Sequence, residues 1–110
     1  MKIDASTIAG FPYKPGVTMA PIIAGRLGTG FGLYRGRLEP YACIPQEAHA
    51  ETETVYVLCG KMNAFVGEQA FSLTSGQVLH VPSGIPHELI NAGDSELEIL
   101  VVGCPDFQQP

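Results

Sequence analysis

The sequence predicts an all-β fold, a sandwich or barrel of short antiparallel strands. Three observations carry this expectation. Runs rich in β-branched and aromatic residues recur at spacings of roughly 8–12 positions, each closed by turn residues. Thirteen glycines and nine prolines among 110 residues supply those turns. No stretch of about ten residues holds a helical pattern, because Gly and Pro interrupt every candidate.

Taken in order, Val17–Ala24 (VTMAPIIA) reads as a strand that Pro21 confines to an edge or a bulge. Gly25–Gly32 (GRLGTGFG) reads as a Gly-rich loop. It does not match a phosphate loop, since no Lys-Ser/Thr ends it and no helix follows. Residues 31–38 (FGLYRGRL) alternate as a strand does, and residues 53–59 (ETVYVLC) form a β-rich run stopped by Gly60. Residues 61–66 and 69–73 flank Gly67-Glu68 and read as a hairpin. Strands are further expected at 77–81, ended by Pro82, at 87–91 and at 96–103.

One domain accounts for the length, and 45% apolar residues suffice for a core. No apolar run approaches the ~20 residues of a membrane span, and the first residues lack the apolar region of a signal peptide. A soluble, cytoplasmic protein is expected. The net charge of −5, with six scattered basic residues, argues against nucleic acid as a partner. Cys43, Cys59 and Cys104 show no CxxC spacing. They are expected to be reduced thiols that pack as small buried hydrophobes.

The chemistry concentrates in two segments. Residues 76–91 (GQVLHVPSGIPHELIN) place Gly76, Pro82, Gly84, His87 and Asn91 at fixed intervals. Residues 46–53 (QEAHAETE) carry one histidine and three acids just before an apolar run. In a strand, Glu47 and His49 would point to one face, and Glu53 can share it. With His87 from a neighbouring strand they make a set of two histidines and a carboxylate, joined by a second carboxylate. That donor set suits Fe(II), Mn(II), Ni(II) or Zn(II), with the oxygens tilting it toward harder ions.

The pattern resembles the cupins. Residues 76–91 match the second cupin motif at every specified position. His49, Glu53 and Gly60 match the first, which here has Tyr41 in place of its leading glycine and Glu47 in place of its first histidine. The resemblance covers residues 40–91 and implies a small jelly-roll β-barrel, commonly a homodimer, with one internal site. Carried over by position, the metal ligands are Glu47, His49, Glu53 and His87. Without metal, two carboxylates in one lumen repel, and Glu47 or Glu53 becomes a candidate catalytic base.

Other residues allow two readings each. His80 is a substrate contact if Val78, His80 and Pro82 face the lumen, and an exterior histidine if Leu79 and Val81 do. Arg35 and Arg37 share a parity, and bind a substrate carboxylate or form a solvated face. Val55, Val57 and Cys59 line a pocket or pack a core, with Tyr56 and Leu58 opposite. Glu51 reads as solvated. Three functions follow: a metal-dependent enzyme on a small polar or carboxylate-bearing molecule (dioxygenase, isomerase, cyclase or lyase), a non-catalytic small-molecule sensor, or a metal-free acid–base enzyme. A homodimer is expected because a lone jelly roll leaves sheet edges, with residues 1–24 pairing across it.

Overall fold

The computed structural model describes residues 1–24 and 30–107. Among the described residues, ten strands follow one 3-10 turn at Ala5–Thr7, where Asp4 caps the Ser6 amide. They are β1 (Phe11–Lys14), β2 (Val17–Ile23), β3 (Gly32–Leu38), β4 (Cys43–Glu47), β5 (Thr52–Cys59), β6 (Lys61–Val66), β7 (Gln69–Thr74), β8 (Val78–Val81), β9 (His87–Asn91) and β10 (Leu97–Cys104). Every strand read from the sequence is present within a residue or two of its expected ends. β1 and β4 are additional. Residues 25–29 of the Gly-rich loop lie outside the described residues.

The strands form two antiparallel sheets, ordered β1-β2-β3-β10-β5-β8 and β4-β9-β6-β7. This is a jelly-roll arrangement whose ladders close into two sheets rather than one continuous cylinder. The core lies between them. Leu38, Val55, Val57, Ile99 and Val101 from the larger sheet meet Ile44, Met62, Ala64 and Leu89 from the smaller. Burial alternates strictly along β10, with Leu97, Ile99, Val101 and Gly103 inside. The period-2 apolar pattern therefore fixes the register, because a slip of one residue would turn these side chains to water.

Pro21 sits in β2 at a register shift against β3, so the bulge expected there is present. β2 is an inner strand, with β1 covering its other side. Residues 11–23 thus extend the large sheet of their own chain and place β1 at its edge. Among the described residues, no helix is long and apolar enough to cross a membrane.

Val55 and Val57 are fully buried core residues, but Cys59 is exposed despite sharing their parity. A register shift at Glu98/Ile99 breaks the alternation at the end of β5. Cys104 is exposed at the end of β10, on its outer parity, and Cys43 is half-buried. All three are free thiols, but burial as small hydrophobes holds only in part, for Cys43. Burial, with Glu88 beside it, pushes the Cys43 thiol up, away from nucleophilic use.

Candidate metal centre

Four chemistry-bearing side chains converge at one end of the space between the sheets. One donor atom from each of Glu47, His49, Glu53 and His87 lies within 4.8 Å of the other three. The two sheets supply them from opposite sides. Glu47 ends β4 and pairs in register with His87, the first residue of β9. Glu53 stands on β5, opposite Val81 and Gly103. His49 lies in the β4–β5 connection, so strand alternation does not place it. Instead the Gly84 amide donates to the His49 carbonyl at 2.8 Å, tying the loop before β9 to this residue.

The ring orientations are fixed by backbone. His49 Nδ1 lies 2.9 Å from the Glu51 carbonyl, and His87 Nδ1 lies 2.9 Å from the Ile85 carbonyl. A carbonyl only accepts, so each Nδ1 carries the proton and donates. Each Nε2 then presents a lone pair to the cluster in the neutral ring. Both Nε2 atoms are buried and make no hydrogen bond. Buried polar atoms without partners are rare and call for an explanation.

The neighbours of those nitrogens supply one. His49 Nε2 is 3.5 Å from Glu53 Oε1, while His87 Nε2 is 3.7 Å from Glu53 Oε2 and 3.8 Å from Glu47 Oε1. These separations are long for hydrogen bonds. They are close to the roughly 3–3.5 Å between donors that share an ion at about 2.0–2.2 Å. Backbone-anchored imidazoles are also the usual outer support of metal-binding histidines. The residues therefore fit a divalent cation. In the metal-free chain, Glu53 raises the His87 pKa above the ordinary histidine value, with burial opposing and the Ile85 carbonyl and Glu47 assisting.

A model of the Cupin domain family matches residues 34–103. The chain belongs to the cupin family. An uncharacterized protein of Streptomyces coelicolor is 32% identical over 74 residues, 67% of this chain and 68% of that protein. Among solved structures, a predicted oxalate decarboxylase from Thermotoga maritima superposes with a TM-score of 0.88 at 23% identity, covering 96% of this chain and 99% of that one. The polyketide cyclase RemF from Streptomyces resistomycificus superposes at 0.84 with 19% identity, covering 94% and 78%. KdgF from Halomonas sp. superposes at 0.80 with 13% identity, covering 93% and 91%. At these identities the likeness shows the cupin fold.

The cupin motifs acquire physical content here. Gly60, Gly76 and Gly84 all have positive φ (100°, 87° and 77°), the region that disfavours a side chain. A Cβ at Gly60 would also meet the Glu96 carbonyl and Leu97 Cα at 3.0 Å. Tyr41, at the position of the motif's leading glycine, has φ 63°, the only positive φ outside glycine among the described residues. The departure thus keeps the turn and accepts its strain. Asn91, the last motif residue, is fully buried. Its Nδ2 donates to the carbonyls of Leu38, Glu39 and Ser95 at 2.9–3.1 Å, and its Oδ1 accepts from the Gly93 amide. It ties strand ends together and takes no part in the centre.

The other sequence-read residues lie elsewhere. His80 is exposed on the outside of β8, within 3.1 Å of Thr54 Oγ1, because Leu79 and Val81 occupy the inner face. Arg35 and Arg37 stand on the outer face of β3, paired in register with Ala20 and Thr18, because Tyr34 and Leu38 fill the interior. Arg37 approaches Glu96 and Glu98 at 3.9 and 3.7 Å, an exposed pairing of small energetic weight. None of these three lines the cavity at the centre. Glu51 departs from the solvated reading. It is 8% exposed, and its carboxylate lies 3.7 Å from His49 Nδ1, because the β4–β5 turn folds over the site.

Two contributors had no sequence signal. The Tyr13 hydroxyl, on β1, donates to Glu47 Oε2 at 2.9 Å. Burial and the Glu47 carboxylate push its pKa up, so it stays protonated. Phe107, beyond β10, sets its ring 5.2 Å from that of His49, nearly edge-on. Neither residue belongs to a motif. The amphipathic alternation of FPYK is too short to mark the first.

Proposed function

We propose that the chain is a metal-dependent enzyme of the isomerase, cyclase or lyase type acting on a small molecule. The observation that carries it is the pair of buried, unpartnered Nε2 atoms facing two carboxylates. His49, His87 and Glu53 would hold a divalent ion, with Glu47 as the fourth ligand. Fe, Mn, Ni and Zn all suit this donor set. A bound ion would supply Lewis-acid polarisation of a carbonyl or lower the pKa of water.

The chain's own residues divide the remaining tasks. Glu53, with a side chain only 6% exposed, holds its negative charge between the two imidazoles. Glu47 is 29% exposed and meets an entering molecule first. Without an ion it is the candidate base, and the Tyr13 hydroxyl orients it. RemF is a polyketide cyclase, a precedent within this fold for the cyclase class.

A second reading draws on the raised His87 pKa, which suits a metal-free acid–base pair of His87 and Glu47 or Glu53. Elemental analysis of protein purified without chelator or His tag separates the two. One divalent ion per chain is expected. Occupancy below about a tenth, not restored by Mn, Fe, Ni or Zn, contradicts the metal reading, given how tightly a preformed site binds. Oxygen consumption with turnover would move the reaction to the dioxygenase class. Two copies are proposed to pair through β1, one of the two edges of the large sheet, and light scattering should give the mass of two chains.

A further inference from the structure

The cavity beside the four ligands encloses about 610 Å³, within the range of small-molecule sites. Its walls differ sharply. One carries Glu47, His49, Glu51 and Glu53. The rest is apolar and largely aromatic, with Phe11 and Tyr13 from β1, Tyr34 from β3, Leu89 from β9 and Phe107 from the C-terminal segment. No lysine or arginine is among the described residues that line it.

The aromatic wall is built in. Pro105–Phe107 turns back over the ends of β3 and β10, where Gly32 and Gly103 leave space. A Cβ at Gly103 would clash with the Phe107 ring, and one at Gly32 would clash with the Asp106 carboxylate. Asp106 accepts a hydrogen bond from the Tyr34 hydroxyl at 2.5 Å, and the Tyr34 and Phe107 rings are 5.8 Å apart. The Tyr34 phenol, buried and bonded to this carboxylate, is pushed up to about 12 and stays neutral.

Charge then selects the ligand. A divalent ion would balance Glu47 and Glu53, and among the described residues no lysine or arginine pairs with Glu51 in the wall. Without the ion, all three repel anions. A carboxylate entering this space meets like charge and no lysine or arginine among the described residues, whereas a flat neutral ring meets aromatic faces and edges. We propose that the cavity binds a neutral aromatic molecule bearing a ketone or phenol oxygen, the ring against Phe11, Tyr34 and Phe107 and the oxygen toward His49. This replaces the carboxylate-bearing substrate expected from Arg35 and Arg37, which stand outside. The role of the oxygen rests on the metal reading, but the selection of a neutral ring does not.

Calorimetric titration with ortho-hydroxyacetophenone and with salicylate tests the inference, since the two share a ring and differ by ketone against carboxylate. Both are titrated into metal-free and Zn-loaded protein, with zinc stoichiometry measured separately. The ketone should bind at least roughly tenfold tighter than salicylate in both forms. Phe107→Ala should weaken ketone binding about fivefold with zinc stoichiometry unchanged, and Phe11→Ala serves if that variant misfolds. Glu51→Gln should narrow the gap by improving salicylate. Equal or tighter salicylate binding, or no ketone binding at millimolar concentration, overturns the proposal. Failure to take up zinc with the ketone preference intact overturns the metal reading alone.

Discussion

The two faces of the same strands carry opposite chemistry. On β3, Tyr34 points inward to the cavity while Arg35 and Arg37 point outward. On β8, Leu79 and Val81 fill the core while His80 meets solvent. On β9, the inward set His87, Leu89 and Asn91 is buried at every position. The interior concentrates acids and imidazoles at one end and closes them off with apolar walls. Among the described residues, the strong cations Arg35 and Arg37 stand on the exterior. A site of acids and imidazoles with no lysine or arginine among the described residues suits a metal ion better than an organic anion.

The largest break of the comparison should come from the inner face. His87→Ala or His49→Ala should weaken divalent-metal affinity by at least about 100-fold, more than the roughly 10–100-fold typical of an orienting partner, as read by competitive chelation. Glu47→His should tighten it instead, by adding an imidazole where the family has one. At the other end of β9, Asn91→Ala should leave the buried carbonyls of Leu38, Glu39 and Ser95 without their donor. A loss of about 2–3 kcal/mol in denaturant unfolding is expected, with metal affinity per folded molecule retained.

Protons and metal compete for His87 Nε2, which sharpens the inner face further. Glu53 raises the His87 pKa in the folded, metal-free chain. Its contribution to stability is therefore full below the unfolded value of about 6.5 and is lost as pH rises through the folded value. Metal binding needs the neutral ring, so affinity should fall as pH drops through that same raised value. Melting curves of the metal-free and loaded protein should slope in opposite directions across this window. Opposite signs confirm that one nitrogen serves both equilibria.

Two smaller effects complete the series. Tyr41→Gly relieves a positive φ at the cost of a more flexible unfolded chain, and should gain roughly 0.5 kcal/mol. Arg35→Ala and His80→Ala, on the outer face, should leave metal and ligand affinity unchanged. A loss at either position would bring the outer face into the site and break the comparison.

The residues that were legible in the sequence share a property: their spacing repeats a backbone constraint. Gly76, Gly84 and Gly60 mark left-handed turns, and His49, Glu53 and His87 keep fixed intervals from them. What was not legible depended on parity or on long-range contact. Alternation shows that Arg35 and Arg37 share a face, but the sequence does not say which face is inside. Here Tyr34 and Leu38 decide it. β4 (CIPQE) escapes a strand reading because of Pro45, which this edge strand tolerates near its bulge. β1 escapes because it is a four-residue edge strand with no fully buried residue to mark an inner face. With β1 went Tyr13, and Phe107 reaches His49 only through the glycine-lined return of the chain end. Glu51 looked solvated because a local reading of an acidic run cannot see the turn that folds it inward.

The central claim is that His49 Nε2, His87 Nε2, Glu53 and Glu47 share one divalent ion. Anomalous diffraction at the Mn, Fe, Ni and Zn edges from crystals grown without chelator tests it most directly. The account predicts a single anomalous peak per chain, within about 2.0–2.3 Å of both Nε2 atoms and of a Glu53 oxygen. Crystals soaked in each metal in turn that show no peak among these four side chains, or a peak on the outer face beside His80, would contradict it.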